Sequence, residues 1–411
     1  MPTADVAIVG AGAAGVAAAR RLVQRGRSVL LLEAAARIGG RARTDEVAGM
    51  PLDLGCGWLH SAERNPLVQV AERAGLLVDR SPSRWGDQLR NLGFSAADQH
   101  AAAAAYVAWD ARLRAHRGSD RAGDAVPPDH HWRPYLDALS GFINGAGLDR
   151  LSIADVLAYD DAASDTNWRL PGGYGTLVAQ AGAGLPVRLD TAVSAIDQGG
   201  GGVSLQTSRG TIAARAAIVT VPTDMLAAGR IRFTPAIDDR LHAAACLPLG
   251  LADKLFLSIA DPEAVPPESH LIGNPHRADT GSYYLRPFGR PVIECFFGGV
   301  GARALAEAGP GATVAFAIAE LGALLGSGFA AGLTPIAASD WAHEPHIGGS
   351  YSHALPGQAG ARGVLAAPAG ERLHFAGEAC SARDFSTAHG AWQSGVAAAD
   401  TADAALASPG A

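Results

Sequence analysis

The sequence predicts an α/β protein of two interleaved domains, one built on a parallel sheet covered by helices, the other on a mixed sheet with added helices. Three observations predict it. Residues 4–33 read as strand, glycine turn, helix and strand. Residues 61–165 change to helical periodicity, and longer strands follow beyond residue 250. A last apolar strand at Leu373–Ala376 then leads into a second glycine turn and a closing helix, which returns the chain to its first domain. The expected first domain is residues 1–62, 166–250 and 364–411, and the second is 63–165 and 251–363.

The elements follow in order. Val6–Val9 is a short apolar strand ending at Gly10, and Ala13–Arg25 is a helix closed by Gly26, a residue suited to the left-handed stop. Ser28–Leu32 is apolar throughout, as a strand buried on both faces should be, and Glu33 stands at its carboxyl end. Helices are expected at 66–75, 96–117 and 132–142, with polar or glycine-rich breaks at 118–131 and 144–150. After the turn Leu170-Pro-Gly-Gly-Tyr-Gly-Thr-Leu177 come short strands at 186–189, 203–207, 211–213 and 216–221, with glycines 199–202 at a hairpin tip. Lys254–Ile259 and Val292–Phe297 are longer strands of a second sheet. Residues 312–325 read as a buried helix, 334–363 as an irregular segment, and a final helix is expected from about Gly390.

Composition narrows the function classes. The 411 residues supply two to three domains' worth of core, and 48% apolar against 18% charged residues is the balance of a folded enzyme. A net charge of -7 provides no basic face, so nucleic acid is not an expected partner. The longest apolar stretch is interrupted by Glu320 and too short to cross a membrane. Cys56, Cys246, Cys295 and Cys380 form no CxxC pair, and the first strand begins so early that no room is left for a signal peptide; both point to the cytoplasm. His343, His346 and His353 read as loop histidines, because Pro345 breaks any helical face and no cysteine or carboxylate pair completes a set; no metal is expected. Monomer and homodimer both stay open.

The chemistry lies in a split signature. Gly10, Gly12 and Gly15, with Ala14 between them, let backbone approach a pyrophosphate and aim a helix N-terminus at its charge, while Glu33 is placed to accept from an adenosine ribose. This much does not separate NAD from FAD. Arg37-Ile-Gly-Gly-Arg41 adds glycines that hug the pyrophosphate and an arginine to neutralise it. At the other end, Gly377 allows close approach and Glu378 can accept from a ribityl hydroxyl. The helix near Gly390 would turn its positive end toward a flavin. Together these motifs point to FAD.

Five stretches carry a family resemblance: Leu52-Asp-Leu-Gly-Cys-Gly-Trp-Leu-His60 with Asn65-Pro66 and Ala74-Gly-Leu76; Pro171-Gly-Gly-Tyr-Gly-Thr-Leu177; Leu249-Gly-Leu-Ala-Asp-Lys-Leu-Phe-Leu257; Trp341 through Gly349-Ser-Tyr-Ser352; and Thr387-Ala-His-Gly-Ala-Trp-Gln-Ser-Gly395. On them the chain resembles the flavin-containing amine oxidase family, most of all its polyamine oxidase and lysine-demethylase-like branch. The resemblance implies a Rossmann-type FAD-binding domain interleaved with a mixed-sheet and helical substrate domain, the two-domain topology shared with p-hydroxybenzoate hydroxylase. It extends the cofactor contacts to Ala34, Gly57, Trp58, Val193, Trp341, Thr387 and Ala388.

From pattern alone a strand lysine such as Lys254 reads first as a snorkelling edge residue. The resemblance instead places it before the flavin, holding a water, and burial there would lower its pKa. Trp341 and Tyr351 would wall an amine pocket by cation–π attraction, though plain aromatic packing reads equally well from the residues. Thr387 stands where monoamine oxidases carry a second tyrosine, and His60 matches a histidine at the substrate mouth, where a structural role is the alternative. Ser350 replaces the cysteine that tethers flavin in monoamine oxidases, so FAD is expected to be non-covalent. The implied reaction moves a hydride from the carbon beside an uncharged amine nitrogen to flavin N5. The imine then hydrolyses and dioxygen is reduced to hydrogen peroxide. A polyamine, diamine or secondary amine is the favoured substrate. A flavin dehydrogenase or desaturase, an L-amino-acid oxidase and a non-enzymatic FAD-binding protein are the alternatives.

Overall fold

The computed structural model describes residues 3–407. Its larger sheet has eight strands. Ala4–Val9 lies at its centre, parallel to Val29–Leu32 on one side and to Gly210–Val219 on the other. Val187–Arg188 extends the sheet beyond Val29–Leu32, and Leu373–Phe375 pairs in parallel with Gly210–Val219. The register aligns Val9 with Leu32 and Val219, and Val219 with Phe375. Strands from both ends of the chain therefore finish at one rim, and ligands of open α/β sheets bind outside such carboxyl ends.

The two strands expected at 211–213 and 216–221 are one strand, Gly210–Val219. No turn residue separates them: the strand leaves its antiparallel partner Val203–Thr207 at Ala214 and continues against Ala4–Val9. Val193–Asp197 and Arg232–Thr234, neither expected, complete the sheet, and the glycines at 199–202 lie between Val193–Asp197 and Val203–Thr207 as anticipated.

The second sheet is antiparallel, in the order Ser269–Ile272, Ser282–Leu285, Val292–Gly298, Ala252–Ile259, Leu333–Ala338. Leu255, Leu257 and Ile259 join Leu271, Ile293, Cys295 and Phe297 in one core. By alternation, the opposite face carries Lys254, Phe256, Glu294, Phe296, Tyr284 and His270. Ala252–Ile259 is an inner strand, so Lys254 is not an edge residue. The helix Pro310–Leu325 packs on the core face, but among its described residues only Ala317 and Leu321 are buried. The buried helix expected there is a surface helix whose alanines and glycines do not need covering.

Helices Ala96–Ala115, Arg133–Asn144 and Ile153–Asp160 gather around Trp109, Leu113, Leu136, Leu148 and Val156. The last helix, Ala388–Ala407, begins two residues before its expected start, because Thr387 caps it: the Thr387 hydroxyl accepts the Gly390 amide at 3.0 Å. This helix crosses the first helix, Ala13–Gln24, so closely that a side chain on Gly395 would collide with the Ala14 carbonyl. No described helix is long and apolar enough to cross a membrane.

Candidate active site

The first glycine turn is set by backbone geometry. Gly10 has φ +103°, and a methyl on Gly15 would collide with the Gly10 carbonyl. The helix Ala13–Gln24 opens at Gly12 without a side-chain cap, which leaves its first N–H groups for a ligand. Glu33 is buried, and its two oxygens accept the amides of Ala11 at 2.7 Å and Ala35 at 2.9 Å. Among the described residues no cation lies within ion-pair distance of it. A buried carboxylate without a counterion is well matched to a ribose diol. Ala34 follows Glu33 in the same turn, and Val193 is buried in the core beside Leu32. Gly39, at φ +120°, bonds to the Ala11 carbonyl at 2.9 Å and bridges to Gly12, which brings Arg37–Arg41 to the start of the helix.

The two ends of the chain meet at an ion pair. Arg41 Nη1 donates to Glu378 Oε1 at 2.8 Å and to the Ser350 carbonyl at 2.7 Å. Arg41, Val219, Gly377 and Glu378 line a small pocket at the carboxyl rim of the large sheet. Gly377 has φ +150°, and no protein atom comes within 4 Å of where its side chain would be. Glu378 accepts the Ser352 hydroxyl at 2.6 Å and the Ser386 amide at 2.9 Å. Burial alone would raise its pKa, but Arg41, Ser352 and Arg362 outweigh burial and hold the carboxyl below its ordinary value. Arg362 is anchored in turn by Asp155, at 2.6 and 2.8 Å, and its guanidinium lies 3.6 Å from the Phe385 ring centre.

Lys254 faces this region from the second sheet. A side-chain carbon on Gly57 would sit 3.2 Å from its Nζ, so the turn after Asp53 reaches the lysine. Nζ is 2.8 Å from Glu294 Oε1. The lowered pKa expected for Lys254 is overturned. Burial does pull it down, but Glu294 and Asp53 more than offset burial, and the ammonium is held above its ordinary value. Lys254 is also the only lysine in the chain, the other basic side chains among the 33 being arginine.

The remaining expected site residues divide. Tyr351 is half-buried and donates from its hydroxyl to the Phe142 carbonyl at 2.5 Å. His60 is half-buried, with Nδ1 2.7 Å from Asn167 Oδ1, and burial lowers it to about 4. Trp58 meets Trp85 edge-on at 4.4 Å between centroids. Trp341 is covered rather than standing as a pocket wall: it is 3% exposed, and its indole donates to the Leu54 carbonyl at 3.2 Å, beneath the turn that carries Gly57. Thr387 spends its hydroxyl on the helix cap and on the Asp384 carbonyl at 2.6 Å, and Ala388 is the first residue of that helix. Ser350 bonds Ala252 through its hydroxyl at 2.7 and 2.8 Å.

An uncapped helix start, an unpaired buried Glu33, and a cavity at Arg41 and Glu378 fit an elongated dinucleotide reaching from the first strand to the second sheet. Residues 13–157 and 85–402 match the family described as flavin containing amine oxidoreductase. The chain belongs to this family. Its cofactor is FAD and its chemistry is amine oxidation. Polyamine oxidase 4 of Oryza sativa subsp. japonica is 31% identical to this flavin amine oxidase, over 96% of the chain and 88% of the relative. Lysine-specific histone demethylase 1 homolog 2 of the same plant is 28% identical, over 96% of the chain and 56% of the relative. A putrescine oxidase double mutant redesigned in its cofactor binding shares the fold, with TM-score 0.81 at 20% identity over 98% of this chain and 99% of the other.

Several residues of this amine oxidase's site were not anticipated. Glu294 interrupts the apolar run Val292–Phe297, and that lone charge was a usable signal. Arg169 is buried between Asp79 and Glu268, at 2.6 and 2.9 Å, and lies over the rings of Trp58, Tyr284 and Phe288. No local pattern announces it, nor the pair Asp155 and Arg362.

Proposed function

We propose that this enzyme oxidises a diamine or polyamine, or a secondary amine, at the carbon beside nitrogen, with dioxygen as the final acceptor and hydrogen peroxide as a product. The observation that carries an amine substrate is the aromatic cluster of Trp58, Trp85 and Tyr284 on the side of the antiparallel sheet that carries Lys254, whose own charge is paired with Glu294. Aromatic faces beside a neutralised lysine suit a cationic amine. The relatives named as polyamine oxidases and the putrescine oxidase neighbour support the same substrate class.

In this reading Gly10, Gly12, Gly15, Glu33, Arg41, Gly377 and Glu378 hold FAD, and Ser350 offers no thiol, so the cofactor is non-covalent. The bound flavin supplies the two-electron redox chemistry. The chain supplies position and electrostatics. Lys254 presents N–H donors to a water on the active face. Tyr351 and the aromatic cluster of Trp58, Trp85 and Tyr284 exclude bulk water and offer π-faces to an amine. His60, held neutral by burial, accepts or donates without adding positive charge near a cationic substrate.

The division into a cofactor domain (1–62, 166–250, 364–411) and a substrate domain (63–165, 251–363) belongs to this proposal. It is supported by the strands of the large sheet falling only in the first set and those of the antiparallel sheet only in the second. Four cysteines without a disulfide suit a cytoplasmic setting. The test is a peroxide-release screen over putrescine, spermidine, spermine, monoamines, N-methylated amines and amino acids. Turnover confined to amino acids would overturn the proposal; fastest turnover on di- or polyamines supports it.

A further inference from the structure

We propose that Glu294 is the positioning residue for Lys254: its carboxylate pins the ammonium on the active face of the antiparallel sheet and keeps it a cation while the enzyme works. The proposal rests on Lys254 being the amine in front of the flavin.

The geometry is specific. Lys254 pairs in register with Phe296, and Phe256 with Glu294, on adjacent antiparallel strands. Lys254 and Glu294 are therefore diagonal neighbours on one face, within reach of long side chains. Their charged ends meet at 2.8 Å, with the lysine side chain 8% and the glutamate 23% exposed. Glu294 makes no other side-chain hydrogen bond or ion pair among the described residues, so nothing competes for its carboxylate.

The other groups facing Lys254 cannot do this work. Asp53, at the end of the strand Met50–Asp53, adds negative charge but forms no ion pair with Lys254; its oxygens accept the Thr44 hydroxyl at 2.5 Å and the Tyr174 amide at 2.9 and 3.0 Å. The Cys56 thiol is pushed up to about 12 by burial and carries no charge. The strand on the other side, Leu333–Ala338, bears no titratable residue, and Ser339 accepts only the Lys254 backbone amide.

The consequence is chemical. An unpaired lysine buried at this depth would shed its proton in the working pH range. Paired, it remains an ammonium with three donors: one goes to Glu294, and the others are free for a water or a reduced oxygen species on the active face. The pairing also cancels the lysine's charge toward a second cation, which suits a substrate that is itself cationic. In a chain that uses arginine everywhere else, retention of one lysine here fits a need for a compact point charge that a planar guanidinium does not meet.

The single lysine makes the test direct. In the flavin-loaded protein, selective 15N-lysine labelling yields one side-chain Nζ signal, whose pH titration reports Lys254 alone. In the parent the midpoint should lie above the ordinary lysine value of about 10.4. Glu294→Gln keeps an oxygen in place but removes the charge, and the midpoint should fall by at least about one unit, a tenfold loss of proton affinity. The rate of flavin reoxidation should acquire a new alkaline limb at that midpoint. Glu294→Asp, which keeps the charge, should restore most of the shift. An identical midpoint in the parent and Glu294→Gln overturns the inference. If Glu294→Gln does not fold, a parent midpoint below about 10 overturns it equally. A shifted midpoint with unchanged flavin reduction and reoxidation rates would instead remove Lys254 from catalysis and leave the pairing standing.

Discussion

Asp155→Asn should destabilise the protein and loosen its hold on FAD together. The side chains of Arg362 and Asp155 are 3% and 6% exposed. Two parallel hydrogen bonds join them, Nε to Oδ1 at 2.6 Å and Nη2 to Oδ2 at 2.8 Å, and Oδ2 also accepts the Ala354 amide at 2.9 Å. Asparagine keeps the shape but removes the charge and turns an acceptor into a donor. Stranding one ion of a buried pair costs about 3–5 kcal/mol. At roughly 2 °C per kcal/mol for a large cooperative unit, the melting temperature should fall by about 6–10 °C. The second effect travels one bond further. Arg362 Nη1 donates to the Ser352 hydroxyl at 3.0 Å, and that hydroxyl donates to Glu378 at 2.6 Å. A loosened Arg362 should therefore leave Glu378 less well oriented. The assay is thermal unfolding with and without added FAD, beside a fluorescence titration of the apoprotein. FAD raises the melting temperature in proportion to the logarithm of its saturation, so weaker binding appears as a smaller rise. A melting temperature within about 1 °C of the parent, with the same FAD-induced rise, would refute the reasoning. Removing both charges, in Asp155→Leu with Arg362→Met, should recover much of the stability but not the FAD affinity. A double variant as unstable as the sum of the singles would assign the loss to packing rather than to the stranded charge.

Three further outcomes are expected. Lys254→Met should retain FAD yet slow turnover or flavin reoxidation by roughly 10²-fold, and unchanged half-reaction rates would remove Lys254 from the mechanism. Acid or heat denaturation should release all the FAD into the supernatant, because Ser350 cannot form the thioether; yellow colour remaining in the precipitate would show otherwise. His353 is buried with neither ring nitrogen partnered among the described residues, and burial, then Arg150, Arg362 and Arg303, pushes it down to about 3. The unfolded chain, near 6.5, binds a proton that the fold refuses, so stability is lost as pH falls from about 6.5 toward 3. By pH 4.5 the loss is about 3 kcal/mol, and His353→Phe should flatten the acid side of the stability curve by about that amount; parallel curves for the two proteins would exclude it.

Much of the fold was legible because its signals are local. The first strand, its glycine turn and its helix were read with their ends nearly in place, since a buried parallel strand must be apolar and a positive φ favours glycine. The elements that escaped notice were short or shared a chemistry with their surroundings. The helix Ile153–Asp160 spans two turns, and Gly210–Val219 looked like two strands because its partners change midway. Within the site, Gly10, Gly15, Arg41 and Glu378 were found from motifs, and the structure joins Arg41 to Glu378. One further signal is global rather than local: Lys254 is a residue type used once in the whole chain.

The sequence by itself determined that a dinucleotide binds where the two glycine motifs meet, and which residues share a strand face with Lys254. Glycines and strand alternation encode those properties in residue type and spacing. Only the tertiary structure decided the charge of that lysine, the burial of Trp341 and the anchoring of Glu378 through Arg362 and Asp155. Each depends on which groups from distant parts of the chain arrive within about 3 Å of one another and how far water is excluded there, since burial and a nearby opposite charge push a pKa in contrary directions.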